Sequence, residues 1–99
     1  MTARDALQAL YQHYRPLIAT MPERFSSHEF ILKLAQGHQR EYVAALVEYS
    51  DSGEPFRVVH QQLSRHFRFY PDLVEYLGDG PSVDIFGKSN SCAFWKRLG

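Results

Sequence analysis

Of the 99 residues, one is a cysteine, Cys92. That excludes an internal disulfide framework and a zinc site built on several thiolates. Net charge is also missing, because eleven Lys and Arg balance eleven Asp and Glu. A neutral chain exerts no global pull on nucleic acid or an anionic membrane, so any such binding must come from a local patch. No apolar run approaches the roughly 20 residues that a membrane-crossing helix needs. Met1-Thr2-Ala3-Arg4-Asp5 has no apolar signal core. The expectation is a soluble, cytoplasmic protein with no membrane partner. Gly78, Gly80 and Gly87 are too scattered for a phosphate loop and precede no suitable helix. No cofactor and no small-molecule ligand is expected.

What the chain does have is rings: seven Phe, six Tyr and one Trp. Its length suits one domain with a single core. Residues 2–21 read as a helix, capped by Thr2, with Ala3, Leu7, Leu10, Tyr14, Leu17 and Met21 recurring at spacings of four and three. Pro16 should kink or end it near Arg15. The stripe resembles a short coiled-coil seam, so Leu7, Leu10, Tyr14 and Leu17 are candidate residues of a homodimer interface. The alternative is that they pack across their own domain, as any amphipathic helix does.

The sharpest local signal lies at residues 25–36. Ser26 and Glu29 have the spacing of a capping box, and Phe25 and Phe30 that of a hydrophobic staple. Phe30, Ile31, Leu34 and Ala35 should face inward. A further helix is expected over 39–49, with Tyr42, Val43, Leu46 and Val47 on its inner face. Pro55 suits the first turn of the next helix, over 55–69, with Phe56, Val59, Leu63, Phe67 and Tyr70 inward. Residues 73–77 and 91–98 read as strands. The turn-prone Gly78-Asp79-Gly80-Pro81 and Gly87-Lys88-Ser89-Asn90 lie between them, and residues 82–86 are ambiguous.

The helix segment from Pro55 to Arg68 has no acidic residue. Arg57, Gln61, Ser64, Arg65 and Arg68 share its outward face, and these are side chains that reach base edges and phosphates. Lys88, at the hairpin tip, is the matching wing contact. The competing view is an ordinary solvated helix face, with Asp72, Glu75, Asp79 and Asp84 close behind it in sequence. Catalysis finds little footing. Cys92 lies beside Ala93, Phe94 and Trp95 in an expected strand, where a buried, inert thiol is the common case. No histidine pair has the i, i+4 spacing of a helical metal site, so no metal is expected.

Five stretches, Phe25 to Ile31, Tyr42 to Tyr49, Pro55 to His60, Asp84-Ile85-Phe86-Gly87 and Ser91 to Lys96, resemble a group of small bacterial proteins of unknown function. The resemblance covers most of the chain. It implies a small helical domain with a terminal hairpin, winged-helix-like in outline, and carries over no catalytic residue. The expected fold class is α+β and mostly helical: a winged-helix-like trihelical core, a C-terminal antiparallel β-hairpin and an extra N-terminal helix. The expected function is non-enzymatic, a regulatory or DNA-binding module whose partner is double-stranded DNA. A protein–protein interaction domain or homodimer is the alternative.

Overall fold

Pro16 shapes the N-terminal segment. It has no N–H for the carbonyl four residues back and its ring crowds that carbonyl, so the damage falls at Gln12 and not at Arg15. The helix accordingly splits into α1 (Asp5–Tyr11) and α2 (Tyr14–Ile18), with Gln12 and His13 between them. A computed structural model describes residues 5–99; the expected Thr2 cap and Ala3 lie outside the described residues. Leu7, Leu10, Tyr14, Ile18 and Met21 are all buried in the core of the same chain, and Leu17 packs at its edge. The expected dimer seam is therefore spent internally. α1 packs chiefly on the helix over Gln39–Glu48 of its own chain.

After Met21 the chain forms β1 (Arg24–Ser26), then α3 (Ser27–Gly37). Both halves of the capping box are made: Ser26 Oγ accepts from Glu29 N and Glu29 Oε1 from Ser26 N, each at 3.1 Å. The staple rings of Phe25 and Phe30 sit 6.2 Å apart. Phe30, Ile31, Leu34 and Ala35 point inward as their spacing demands. In α4 (Gln39–Glu48) the inner face is Tyr42 and Ala45, with Leu46 and Tyr49 at the margin. Val43 and Val47 are exposed. Hydrophobicity favours the valines, but the small Ala45 lets α4 approach its neighbours.

A short 3-10 turn, Ser50–Ser52, leads to α5 (Pro55–Arg65), which tightens into a second 3-10 turn, His66–Phe69. Val59, Leu63 and Phe67 are buried. Phe56 stays 44% exposed, edge-on to Phe86 at 4.7 Å. The inward stripe thus begins one turn later than expected.

Strands β2 (Val74–Val83) and β3 (Ser89–Arg97) pair antiparallel, and β1 pairs with the other edge of β3, so the sheet order is β1-β3-β2. The hairpin is longer than expected because Gly78-Asp79-Gly80-Pro81 continues β2 instead of turning. A bulge between Tyr76 and Gly78 absorbs Leu77, with Gly78 at φ 109°. Pro81 is tolerated because β2 is an edge strand. A Cβ at position 80 would meet the Phe94 ring at 3.1 Å. The turn falls at Asp84 to Lys88, where Asp84 Oδ1 accepts from Phe86 N at 2.9 Å and Lys88 N at 3.0 Å.

Helices and sheet meet over an aromatic interior. Phe67 lies 4.7 Å from Phe30, 4.8 Å from Trp95, 5.4 Å from Tyr14 and 6.0 Å from Phe25, centroid to centroid. The Tyr14 hydroxyl donates to the Leu63 carbonyl, which ties α2 to α5. The fold is α+β, about half helical, with a three-stranded antiparallel sheet.

Candidate functional site

Between α3, α5 and the hairpin lies a groove of about 410 Å³. Arg57, Gln61 and Ser64 line it from α5, Ser27 and His28 from α3, and Asp84, Asn90, Ser91 and Cys92 from the hairpin. Arg65 and Arg68 line a different concavity, of about 310 Å³, with Gln8 and Tyr11 of α1, Gln62, His66 and Phe69. The expected single row is therefore split. Tightening to three residues per turn after Arg65 swings Arg68 roughly 60° about the axis, alongside Arg65 and away from Arg57.

The six expected contact residues now separate by environment. Arg57 is exposed, but its guanidinium holds Glu54 at 3.2 Å. Gln61 is exposed and free to contact a ligand. Ser64 is half-buried and its hydroxyl donates to Ser27 Oγ at 3.1 Å, the same oxygen that accepts the Trp95 indole N–H at 3.0 Å. Ser64 thus borders the groove with its hydroxyl engaged by Ser27, a correction to its expected fully outward place. Arg65 and Arg68 are exposed, and among the described residues neither has a carboxylate within ion-pair distance. Arg68 lies over the exposed Phe69 ring at 4.9 Å. Lys88 is exposed at the hairpin turn.

The groove is mixed in charge. Backbone hydrogen bonds, first from Lys88 and then from Phe86, hold the Asp84 carboxyl below the usual carboxylate range, so the groove that Arg57 lines also carries a carboxylate. Burial, and then the charge of His28, push His60 down to about 4, with Asp84 opposing. The neutral ring lies 2.6 Å, Nε2 to hydroxyl, from Tyr42, whose own phenol is pushed up to about 12 by burial. Cys92 is half-buried and lines this groove, more open than the buried thiol expected. Among the described residues no hydrogen bond joins it to His28 or His60, so the nucleophile–base contact of a thiol enzyme is not made. Phe94 is half-buried beneath the Arg24 guanidinium, 5.3 Å from its ring, and Trp95 packs on Phe67.

A second group lies elsewhere. His13, His38 and Glu41 bring one ligand atom each within 4.8 Å of one another. Pairwise spacing within a helix misses it, because His13 comes from the break after α1, while His38 and Glu41 flank the start of α4. The one available signal is the His38-x-x-Glu41 spacing of i, i+3, which puts both side chains on one side of a helical turn.

No protein-family model, curated protein or solved structure matches the chain.

Proposed function

We propose that this chain is a non-enzymatic nucleic-acid-binding module of winged-helix type, with α5 as the recognition helix and the β2–β3 hairpin as the wing. One observation carries the reading: Arg57, Gln61 and Arg65 on α5, and Arg68 in the 3-10 turn that continues it, are exposed in a segment without a carboxylate that precedes the hairpin. The sheet order β1-β3-β2, with β1 ahead of the last three helices, supports the winged outline. Arg65 and Arg68 are the principal phosphate contacts, since no acid offsets them. Arg57 is partly offset by Glu54, and Gln61 is the base-edge contact. Lys88 adds a phosphate contact from the wing.

With four such cations and zero net charge, binding is weak and governed by salt. The expected slope of log K against log salt is no steeper than about −4, from −0.9 per phosphate neutralised. Anisotropy with a labelled duplex at low salt tests this. Micromolar binding that Arg65→Ala with Arg68→Ala weakens at least about tenfold is expected, since each lost phosphate contact lowers affinity across all sequences. No binding at about 100 µM protein, where even non-specific contact registers, overturns it.

One observation favours the alternative, a protein-interaction domain. Val43 and Val47 are 54% and 65% exposed and lie four residues apart on one face of α4. The interface would then sit there, and not on the buried N-terminal stripe.

A further inference from the structure

We propose that His13, His38 and Glu41 form a binding site for a divalent transition-metal ion, zinc by preference, that clips the N-terminal helix pair to the corner between α3 and α4. The proposal is independent of the nucleic-acid reading and shares no residue with it. Among the described residues these three are the one group of metal-capable side chains gathered this closely. His13 Nε2 lies 2.9 Å and 3.2 Å from the two Glu41 oxygens. The His13 and His38 rings stack at 3.5 Å, 10° from parallel.

The backbone brings them together for reasons already given. His13 sits in the break forced by Pro16 and serves as N-cap of α2, yet its side chain makes no capping bond. His38 is both the last residue capping α3 and the first capping α4, also without a side-chain capping bond. Glu41 follows in the first turn of α4. Two helix junctions that use neither imidazole for capping thus leave both beside one carboxylate.

The ligand set narrows the choice of ion. Two imidazoles and a carboxylate are borderline donors that suit zinc, copper or nickel and not calcium or magnesium, which want oxygen shells. In a tetrahedral shell with zinc–ligand distances of about 2.0–2.1 Å, donor atoms lie roughly 3.3 Å apart. The observed separations, 2.9 Å for one pair and no more than 4.8 Å for any, bracket that value. Near-parallel rings cannot aim two lone pairs at one point, so capture turns one ring out of the stack about its soft terminal torsion. All three side chains are half-exposed, which leaves the fourth position to water.

Glu41 gives a further reason to look beyond a surface ion pair. Among the described residues it takes no Lys or Arg partner; its only bonded cation candidate is His13. His38 makes no hydrogen bond through either ring nitrogen among the described residues, so its metal-binding atom is not already engaged.

The test uses the full chain stripped with EDTA and titrated with zinc chloride by calorimetry, alongside thermal melts. One ion per chain is expected. Because it binds the folded state, about 100 µM zinc should raise the melting temperature by several degrees. His38→Ala and Glu41→Gln should each weaken binding at least about tenfold, as loss of a ligand does. Glu41→Gln keeps the side-chain shape and decides the matter if His38→Ala fails to fold. Absence of binding below about 1 mM zinc, or one-to-one binding unchanged in either folded variant, overturns the proposal, the latter because one of the other histidines would then hold the ion.

Discussion

Phe67 and Val83 stand at opposite ends of one short stretch of chain, and their surroundings differ sharply. Phe67 is 1% exposed with rings on four sides, whereas Val83, at the far end of β2, is 56% exposed. In β2 only Val74 is buried, and most of the strand beyond it is exposed. The interior is therefore held by burial, which tolerates little change. The hairpin is held by backbone pairing and turn chemistry, which leave its side chains free to vary. The groove residues Arg57 and Gln61, and Lys88 at the turn, lie on or beside the second kind of structure, whereas Arg65 and Arg68 lie beside α1.

The largest expected effect tests that contrast directly. Phe67→Ala should cost about 3–5 kcal/mol, from lost burial plus the cavity left among rings that cannot all collapse inward. In a domain of this size that lowers the melting temperature by more than about 12 °C. Val83→Ala should change stability by less than about 0.5 kcal/mol, as exposed sites do. Chemical denaturation of both variants checks the pair, and similar losses would break the comparison. Leu10→Glu belongs with Phe67→Ala. Leu10 is 0% exposed, so the charge would unfold the monomer whether or not a dimer exists.

How much of this was legible in the sequence follows the same division. The capping box, the staple and the inward face of α3 could be read because every partner lies within a few residues. The acid-free face of α5 and the presence of a hairpin could be read for the same reason. Strand β1 could not: it is three residues long, and its register, Arg24↔Lys96, joins opposite ends of the chain. The Gly-Asp-Gly-Pro stretch suggested a turn because glycine and proline usually make one. Here a bulge, the close Phe94 ring and an edge position require the same residues inside a strand. Val43 and Val47 lost the inner face of α4 to Ala45 because fit against a neighbour outweighs side-chain hydrophobicity. The arginine row split for two reasons: Arg65 already lies about 80° around α5 from Arg57 at 100° per residue, and the 3-10 turn over His66–Phe69 brings Arg68 alongside it, a change that periodicity cannot anticipate. The cluster at His13, His38 and Glu41 exists only once α1 and α4 are packed.

The middle-sized effect lies where interior and hairpin meet. His60 is half-buried between Tyr42 and Phe86 and pushed down to about 4, chiefly by burial and then by the charge of His28. Its folded value lies below the unfolded value of about 6.5, so the unfolded chain binds more protons in between. The stability that the neutral ring contributes is full above about pH 6.5 and is lost as pH falls toward 4. Because water reaches part of the ring, the loss is on the order of 1–2 kcal/mol and not the full value of the shift. Melts between pH 7.5 and 4.5 should show a slope that His60→Gln flattens. An unchanged slope in the variant would place the acid sensitivity elsewhere.

The smallest effect on the fold carries the most information about the ligand. Asp84 does two things: its Oδ1 holds the turn through Phe86 N and Lys88 N, and its charge sits in the same groove as Arg57. Asp84→Asn separates them, because the amide oxygen can accept both N–H groups while the charge disappears. The melting temperature at neutral pH should hardly move. If duplex DNA lies against α5 and the wing, removing a carboxylate that repels phosphate should raise affinity about threefold or more at low salt, with the gain fading as salt screens it. Unchanged affinity in a stably folded Asp84→Asn would mean that phosphates do not approach this groove. Contact would then rest on Arg65 and Arg68 beside α1, and the hairpin would not be acting as a wing.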